Sequence, residues 1–474
     1  MALQTKINQL IAPKITLDNI TITDTETDNN TNVATPNMVR KSQQIGDISP
    51  YIRINDFTFD HNEIETLSMS ETDTVPTIQV SVIDQSGSFA TNYFPKNNNI
   101  LKLYIRSRNN KVKAIRVDFI IDSVTATSSG DISNSSEGRM AAFSIRGTLN
   151  TPKLFDSKVN CFNSDSFDAF ADIARKTNLG YASNEMNTQD KMPWLQPNIQ
   201  YKDMLGHICN YSYKDNDSFF TWFIDKNYCI NLINVNDMLS SEDDEDKMFL
   251  TTSTFLDYTS KKENNDDNGM PFVLTNLSTF NGTPAFIQSF LPVSKQGAVV
   301  RDNPSHKQVY FFHNELGYNN FDVYPLKTID NTDEISDNVL NMWEGVDYDN
   351  THDNYIFAGH HNNQNLIDLN KVVLQVTLGG LNLSLRRGMR VPILIIYEGH
   401  ENNNAKEGQR VEEPKAKEQL ERNIRIEENL FGWCYVSKIK IVYDKYSSDR
   451  NQFATYVELC KRKWPDSLKI EGVK

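Results

Sequence analysis

Alternation of apolar and polar positions dominates both ends of the chain. In TIQVSVID, Ile78, Val80 and Val82 share one face, and in LKLYIR, Leu101, Leu103 and Ile105 do the same. VDFIIDSVTAT places Val117, Phe119 and Ile121 together, and MAAFSIRGTL completes the set. Period-two runs of this kind predict half-buried strands, and the Asn- and Gly-rich breaks NNNI, RNNK and TSSGD predict antiparallel connections. Residues 48–150 are therefore expected to form a small antiparallel β-barrel or sandwich. The same order of strand, polar turn and strand returns in 366–463 through LNKVVLQVTLGG, LNLSLRRGMRVPILIIYEG, WCYVSKIKIVYDKY and FATYVELCKRKW. The two ends share a pattern without visible identity. Gly379-Gly380 reads as a turn or bulge between two of these strands.

The middle of the chain changes period. SDSFDAFADIARKTNLG carries Phe167, Phe170, Ile173 and Ala174 at helical spacing, with Ser or Asp to cap its start and Gly180 placed as a C-cap. YKDMLGHICNYSYKD repeats the spacing with Met204, Leu205, Ile208 and Tyr211. FFTWFIDKNYCINLINV then reads as a hairpin turning near Asp225, Lys226 and Asn227. The fold class predicted is α+β, mainly β. Its parts are an extended polar arm (1–47), disordered when free and able to order on a neighbour, a first strand module (48–150) and an α+β domain (151–240). A second strand module follows (241–270 with 366–463, interrupted by a charged insertion at 400–427). An irregular mixed domain lies at 271–365, with a helix at EISDNVLNMWEGV and an Asn-His loop, and a tail closes the chain at 464–474.

At 474 residues the chain is long enough for three or four such units. Its formal net charge of −14 and pI near 5.1 disfavour stable binding to nucleic acid, whose phosphates an acidic surface repels. An acidic lining suits a channel through which DNA slides. The five cysteines, Cys161, Cys209, Cys229, Cys434 and Cys460, form no CxxC and are odd in number, which points to free buried thiols. No stretch has the length of a signal peptide or a membrane span, so assembly in a cytoplasm is expected.

Chemistry-bearing constellations are sparse. GxSxG, P-loop, dinucleotide and HExxH motifs are missing. His352 and Gly359-His360-His361 form the best metal candidate, yet no carboxylate stands at ligand spacing and a loop with solvated histidines is the simpler reading. The acidic clusters at 242–246 and 263–267 read as solvated. Trp194, in a Pro-Trp pair before a helix, is expected to anchor that helix. The KAKEQLERNIRIEEN stretch reads as a protruding tip held by i,i+4 charge pairs. No catalytic, cofactor-binding or metal-binding residue is assigned, and the chain is not expected to be an enzyme.

Three features in order carry a resemblance: Pro193-Trp194, the helix from Tyr201, and Phe220-Thr221-Trp222-Phe223-Ile224-Asp225. Leu381-Asn382-Leu383 and Arg387-Gly388-Met389-Arg390-Val391, followed by the pair YVSKIKIVY and FATYVELCKR, extend it. Across roughly 48–463, outside the 400–427 insertion, the chain resembles the central baseplate-hub protein of contractile-tailed bacteriophages. That family is related to the N-terminal half of type VI secretion spike proteins. The resemblance implies a structural homotrimer in the virion tail baseplate, each subunit giving two tube-like β-barrels, so that three chains present six. It implies a tail tube protein above and a central spike below, the spike being the bearer of lytic activity in relatives. It also implies contacts with baseplate wedge or other tail-tip proteins and with the tape measure protein, and genomic DNA that passes without specific binding. Two other readings stand beside it: a virion-associated peptidoglycan hydrolase, for which no segment reads as a catalytic domain, and a receptor-binding tail component, for which repeats are lacking.

Overall fold

A computed structural model describes residues 48–84, 87–96, 99–107, 115–128, 141–240, 350–381, 383, 385–393, 432–447 and 452–461. It also describes the strand segments 9–11, 250–252, 272–282, 295–303, 306–313, 327–329, 340–342, 396–398 and 424–426. The fold is mainly β with few helices, as the alternating runs predict.

The first strand, β1 (Gln9–Ile11), belongs to the expected arm. The N-terminal module follows as β2 (Ile48–Ile54), β3 (Phe57–Phe59), β4 (Ile64–Glu71), β5 (Thr77–Asp84), β6 (Ile100–Ser107), β7 (Ile115–Ser128) and β8 (Ala141–Leu149). Ile78, Val80 and Val82, and Leu101, Leu103 and Ile105, are buried as their alternation requires.

Next come β9 (Ser157–Ser164), helix α1 (Ser166–Thr177), β10 (Gly180–Ser183), β11 (Met192–Gln200), helix α2 (Tyr201–Asn210), β12 (Phe220–Ile224), β13 (Cys229–Asn234) and helix α3 (Val235–Ser240). The Asp165 carboxylate caps α1 by accepting from the Asp168 amide at 2.8 Å. The C-cap is Asn178, at φ +62°, and not Gly180 as expected. Asn tolerates the left-handed region, which frees Gly180 to begin β10. Trp194 sits within strand β11, buried, its indole N–H donating to the Ser164 carbonyl at 3.0 Å. It anchors the β9–β11 ribbon that runs directly into α2.

β14 (Leu250–Thr252) and β15 (Phe272–Gly282) precede a four-stranded sheet of β16 (Lys295–Asn303), β17 (His306–His313), β18 (Lys327–Ile329) and β19 (Leu340–Met342). Residues 340–342 of the predicted EISDNVLNMWEGV helix are strand, pairing in parallel with Gln296–Ala298. A short apolar run satisfies either period, and here a neighbouring strand edge decides. The predicted Asn-His loop is also a helix, α4 (Tyr355–Lys371). Its Asn-rich composition is a weak helix former, and tertiary contacts compensate. Asn362 donates to the carbonyls of Asn210 and Ser212, both at 2.9 Å, closing the C-terminal end of α2. Its side-chain oxygen accepts from the Phe220 amide at 3.1 Å.

The C-terminal module is β20 (Val372–Gly379), β21 (Arg390–Ile393), β22 (Ile396–Glu398), β23 (Ile424–Ile426), β24 (Gly432–Asp444) and β25 (Phe453–Cys460). β20 ends in a turn at Gly380, φ +83°. The sheet order is β21-β14-β15-β20-β25-β24-β4-β5-β8-β7-β6-β2-β3, so both modules form one sheet of 13 strands. β15, which the sequence groups with the irregular segment, pairs antiparallel with β20. The modules meet where β24 pairs antiparallel with β4, Ile439 opposite Glu71 through Asp444 opposite Thr66. Leu67 and Met69 continue the buried face of Ile441 and Tyr443 without a break in register.

Candidate functional site at the junction of the modules

The β12–β13 hairpin grows from the Phe-x-Trp-x-Asp run. Phe220, Trp222 and Ile224 pack into the core shared by both strand modules, whereas Phe219 and Phe223 pack with Ile233, Leu369, Val373 and Tyr435 in a second cluster. Both faces of β12 are thus buried, and the hairpin is a wedge between two apolar layers. Its tip is an Asx turn. The Asp225 carboxylate accepts from the amides of Asn227 (2.8 Å) and Cys229 (3.0 Å), and Tyr228 takes φ +62°.

This tip touches both strand modules. On the N-terminal side, the Ile224 amide donates to the Thr74 carbonyl at 2.8 Å. The Asp118 amide donates to the Tyr228 hydroxyl at 2.8 Å, and that hydroxyl reaches the Asp118 carbonyl at 3.2 Å. Lys226 pairs with Glu71 of β4 at 3.1 Å. On the C-terminal side, Lys226 also reaches the Leu385 carbonyl at 3.4 Å. Arg387 lies over the Phe223 ring, 4.7 Å from its centroid, and donates to the Asp73 carbonyl. Gly388, at φ +81°, lies so close to Phe223 that a Cβ would stand 2.6 Å from its Cζ. Three segments distant in sequence, 71–74, 220–228 and 385–388, are locked together here.

The electrostatics suit a lock better than a reaction centre. The side chains of Glu71 and Lys226 are only 2% and 4% exposed, and Glu71 Oε2 has no hydrogen-bond partner among the described residues. Burial, reinforced by the Glu71 charge, pushes the Asp225 carboxyl above its ordinary range. Burial pushes the Arg387 guanidinium down, opposed in part by Tyr435 and the charges of Glu71 and Asp73. Two carboxylates and two cations meet here, Glu71 and Lys226 buried and Arg387 half-buried. A cleft of about 780 Å³ lies beside it, lined by Thr72, Asp73, Thr74, Asp122, Lys202 and Arg387 among others.

The weighed histidines do not join this site. His352 is buried, one ring nitrogen 3.0 Å from the Tyr211 carbonyl. His361 is 2% exposed and touches Asn365 of the same helix. Both are core residues, contrary to the solvated loop expected, because α4 packs on α2 with Gly359 against the Tyr211 ring. Among the described residues no group of three or more His, Cys, Asp or Glu stands where it could hold a metal ion. All five cysteines are free; Cys161 is exposed on β9, against expectation, and the other four are buried. The acidic clusters at 242–246 and 263–267, the 400–427 insertion apart from Ile424–Ile426, and the tail 464–474 lie outside the described residues.

Burial drives the His361 pKa from 6.5 to about 4. The unfolded chain therefore takes up this proton first, and its stabilising contribution is present above pH 6.5 and shrinks as pH falls toward 4. Relative to a His361→Asn variant, the wild type should lose about 2–3 kcal/mol between pH 7 and pH 4.5 in urea melts. Glu185 works in the opposite direction. Desolvation and Asp237 raise its carboxyl to about 7, so its contribution is lost as pH rises. Comparison with the variant isolates the histidine.

Glu71 was recognisable in the sequence as an acid at the buried parity of IETLSMSE, in line with Leu67 and Met69. Nothing local marks Lys226 as its partner, 155 residues away.

No family model and no curated protein matches the chain. Among solved structures it is similar to a tail protein from Neisseria meningitidis, at 9% identity and a TM-score of 0.47, over 88% of this chain and 99% of that one. It is similar to the 43 kDa tail protein of prophage MuSo2 from Shewanella oneidensis, at 8% identity and TM-score 0.46, over 89% and 99%. It is also similar to an E. coli component of the type VI secretion system, at 7% identity and TM-score 0.41, over 88% and 79%.

Proposed function

We propose that the chain is a structural tail component, the hub subunit of a baseplate, and that it is not an enzyme. The observation that carries this is the β24–β4 pairing. It joins two strand modules of one chain side by side so that their apolar faces are continuous, Met69 beside Ile441 and Leu67 beside Tyr443. The opposite face is polar across the same seam: Lys440 is opposite Ser70, Ser70 opposite Thr77, and Gln79 opposite Arg146. Two laterally fused modules per chain are what a three-fold ring needs to present six similar units. Heterologous contacts between copies would cover the outer strand edges that otherwise invite aggregation.

In this reading three copies surround a channel. A six-fold tube sits on one side and a three-fold spike on the other, with wedge and tape measure proteins as further neighbours, and DNA crosses without specific binding. The sequence resemblance supports it through the Phe-x-Trp-x-Asp hairpin, which here forms the wedge between the modules. The expected result is a three-chain particle in mass photometry, and a three-fold ring with a central hole in negative-stain images, alone or with the spike protein added. A chain that stays monomeric and binds neither tube nor spike protein overturns the proposal. Lysis of purified cell walls by the protein would overturn its non-enzymatic part.

A further inference from the structure

The α+β part of the chain is contiguous in sequence except for one strand. β10 is buried along its whole length and pairs in parallel with β13 on one edge. Its other edge is taken by β1, antiparallel, with Gln9 opposite Ser183, Leu10 opposite Ala182 and Ile11 opposite Tyr181. Without that strand, main-chain groups of a buried strand would lack partners, at about 1–3 kcal/mol for each group left unsatisfied.

The strand that completes the sheet comes from far away in the chain. Residues 12–47 separate it from β2. Those 36 residues can span up to about 120 Å when extended, whereas a compact chain of this length has a radius of gyration of about 23 Å. Connections inside one domain rarely exceed about 12–15 residues, and longer ones usually serve a function or act as linkers. The segment TDTETDNNTNVATPN has too few apolar residues to build a core of its own. Fully extended, a segment of this length is long enough for Gln9–Ile11 to arrive at the β10 edge of an adjacent copy.

We propose that the β10 edge is a strand-acceptor site, and that in the assembled oligomer its ligand is the Gln9–Ile11 segment of a second copy of this chain. The inference rests on the homo-oligomer proposed above. Main-chain pairing gives the contact its affinity and the register its direction. In a ring held by other contacts, a tethered strand meets the neighbour's edge at an effective concentration far above that of free chains. Exchange then costs little and links each protomer to the next.

The test uses full-length protein with Cys161→Ser, which removes the exposed thiol; the four remaining thiols are buried, and burial raises each of their pKa values, which keeps them unreactive. One preparation carries Gln9→Cys and another Ser183→Cys, two positions that face each other across the register. The two are mixed, allowed to assemble and oxidised with glutathione disulfide. The expected product is a covalent pair holding one chain of each kind, which only exchange between copies can form. A Gln9→Cys/Ser183→Cys double variant should then give covalent multimers. An internally crosslinked single chain from the double variant, with no mixed pair, overturns the inference. So does the absence of any crosslink. Light scattering on the same samples separates the two failures: oligomers without interchain crosslinks sink only the strand exchange, whereas monomers sink the parent reading as well. A variant lacking residues 1–15 gives a second measure, because a synthetic peptide of residues 5–15 should bind it and raise its melting temperature.

Discussion

Replacing Lys226 by methionine is expected to remove about 3–5 kcal/mol of stability, seen as a lower midpoint in a urea melt. The magnitude follows from what the substitution leaves behind. Glu71 is 2% exposed, and among the described residues one of its carboxylate oxygens has no hydrogen-bond partner. Without the ammonium group it becomes an uncompensated buried charge, with Asp225 close enough to feel it. Domains commonly hold only about 5–15 kcal/mol in all, so the loss is severe. Replacing both partners, Lys226→Met with Glu71→Met, should restore stability to within about 1 kcal/mol of the wild type or exceed it, since a buried pair recovers little more than its own desolvation. A double variant no better than Lys226→Met alone would show that the lysine acts through its bond to the Leu385 carbonyl, and the ion-pair account would fail. The comparison also separates stability from assembly. If the pair serves to hold the two modules in one register, the double variant should be stable and yet form the three-chain particle less well.

The second large effect is at Gly388. An alanine there would carry its Cβ to 2.6 Å from Phe223 Cζ while keeping φ +81°. The left-handed backbone costs about 1–2 kcal/mol for a non-glycine residue, and overpacking adds about 1–3 kcal/mol. Gly388→Ala should therefore lose about 3 kcal/mol. Phe223→Ala should itself cost about 3–5 kcal/mol as a buried aromatic truncation. Combined, the two should cost less than their sum by about 1–2 kcal/mol, because with the ring gone only the backbone penalty remains. Strict additivity in that double-mutant cycle would count against a direct contact. Phe223 also supports Arg387, whose guanidinium bridges to the Asp73 carbonyl, so losing the ring loosens the hold of 385–388 on the 71–74 turn.

Much of the architecture was legible beforehand because burial on one side of a sheet imposes a period of two on the residues themselves. Ile78, Val80 and Val82 declare their shared face wherever the strand is placed. The helices at Ser166–Thr177 and Tyr201–Asn210 were legible for the corresponding reason, through apolar residues at 3.6-residue spacing. Errors arose where composition and packing pull in different directions. Asn and His between 352 and 365 speak for a loop, yet Asn362 finds three backbone carbonyls at the end of α2, and His361 is buried and neutral. Asn178 and not Gly180 closes α1, since both residue types tolerate positive φ and only the path into β10 distinguishes them.

What the sequence determined by itself is therefore local: which segments are strands or helices where the apolar period is sustained, which face of each is apolar, and the acidic balance of the whole chain. What only the tertiary structure decided is partnership. β4 meets β24 across some 370 residues, β1 meets β10 from beyond a long tether, and Lys226 meets Glu71 at a point neither run predicts. A strand's own residues specify its faces through side-chain burial. Apart from the N–H that a proline lacks, its edges present the same N–H and C=O groups in any sequence, so the choice of neighbour is made by the packing of the whole.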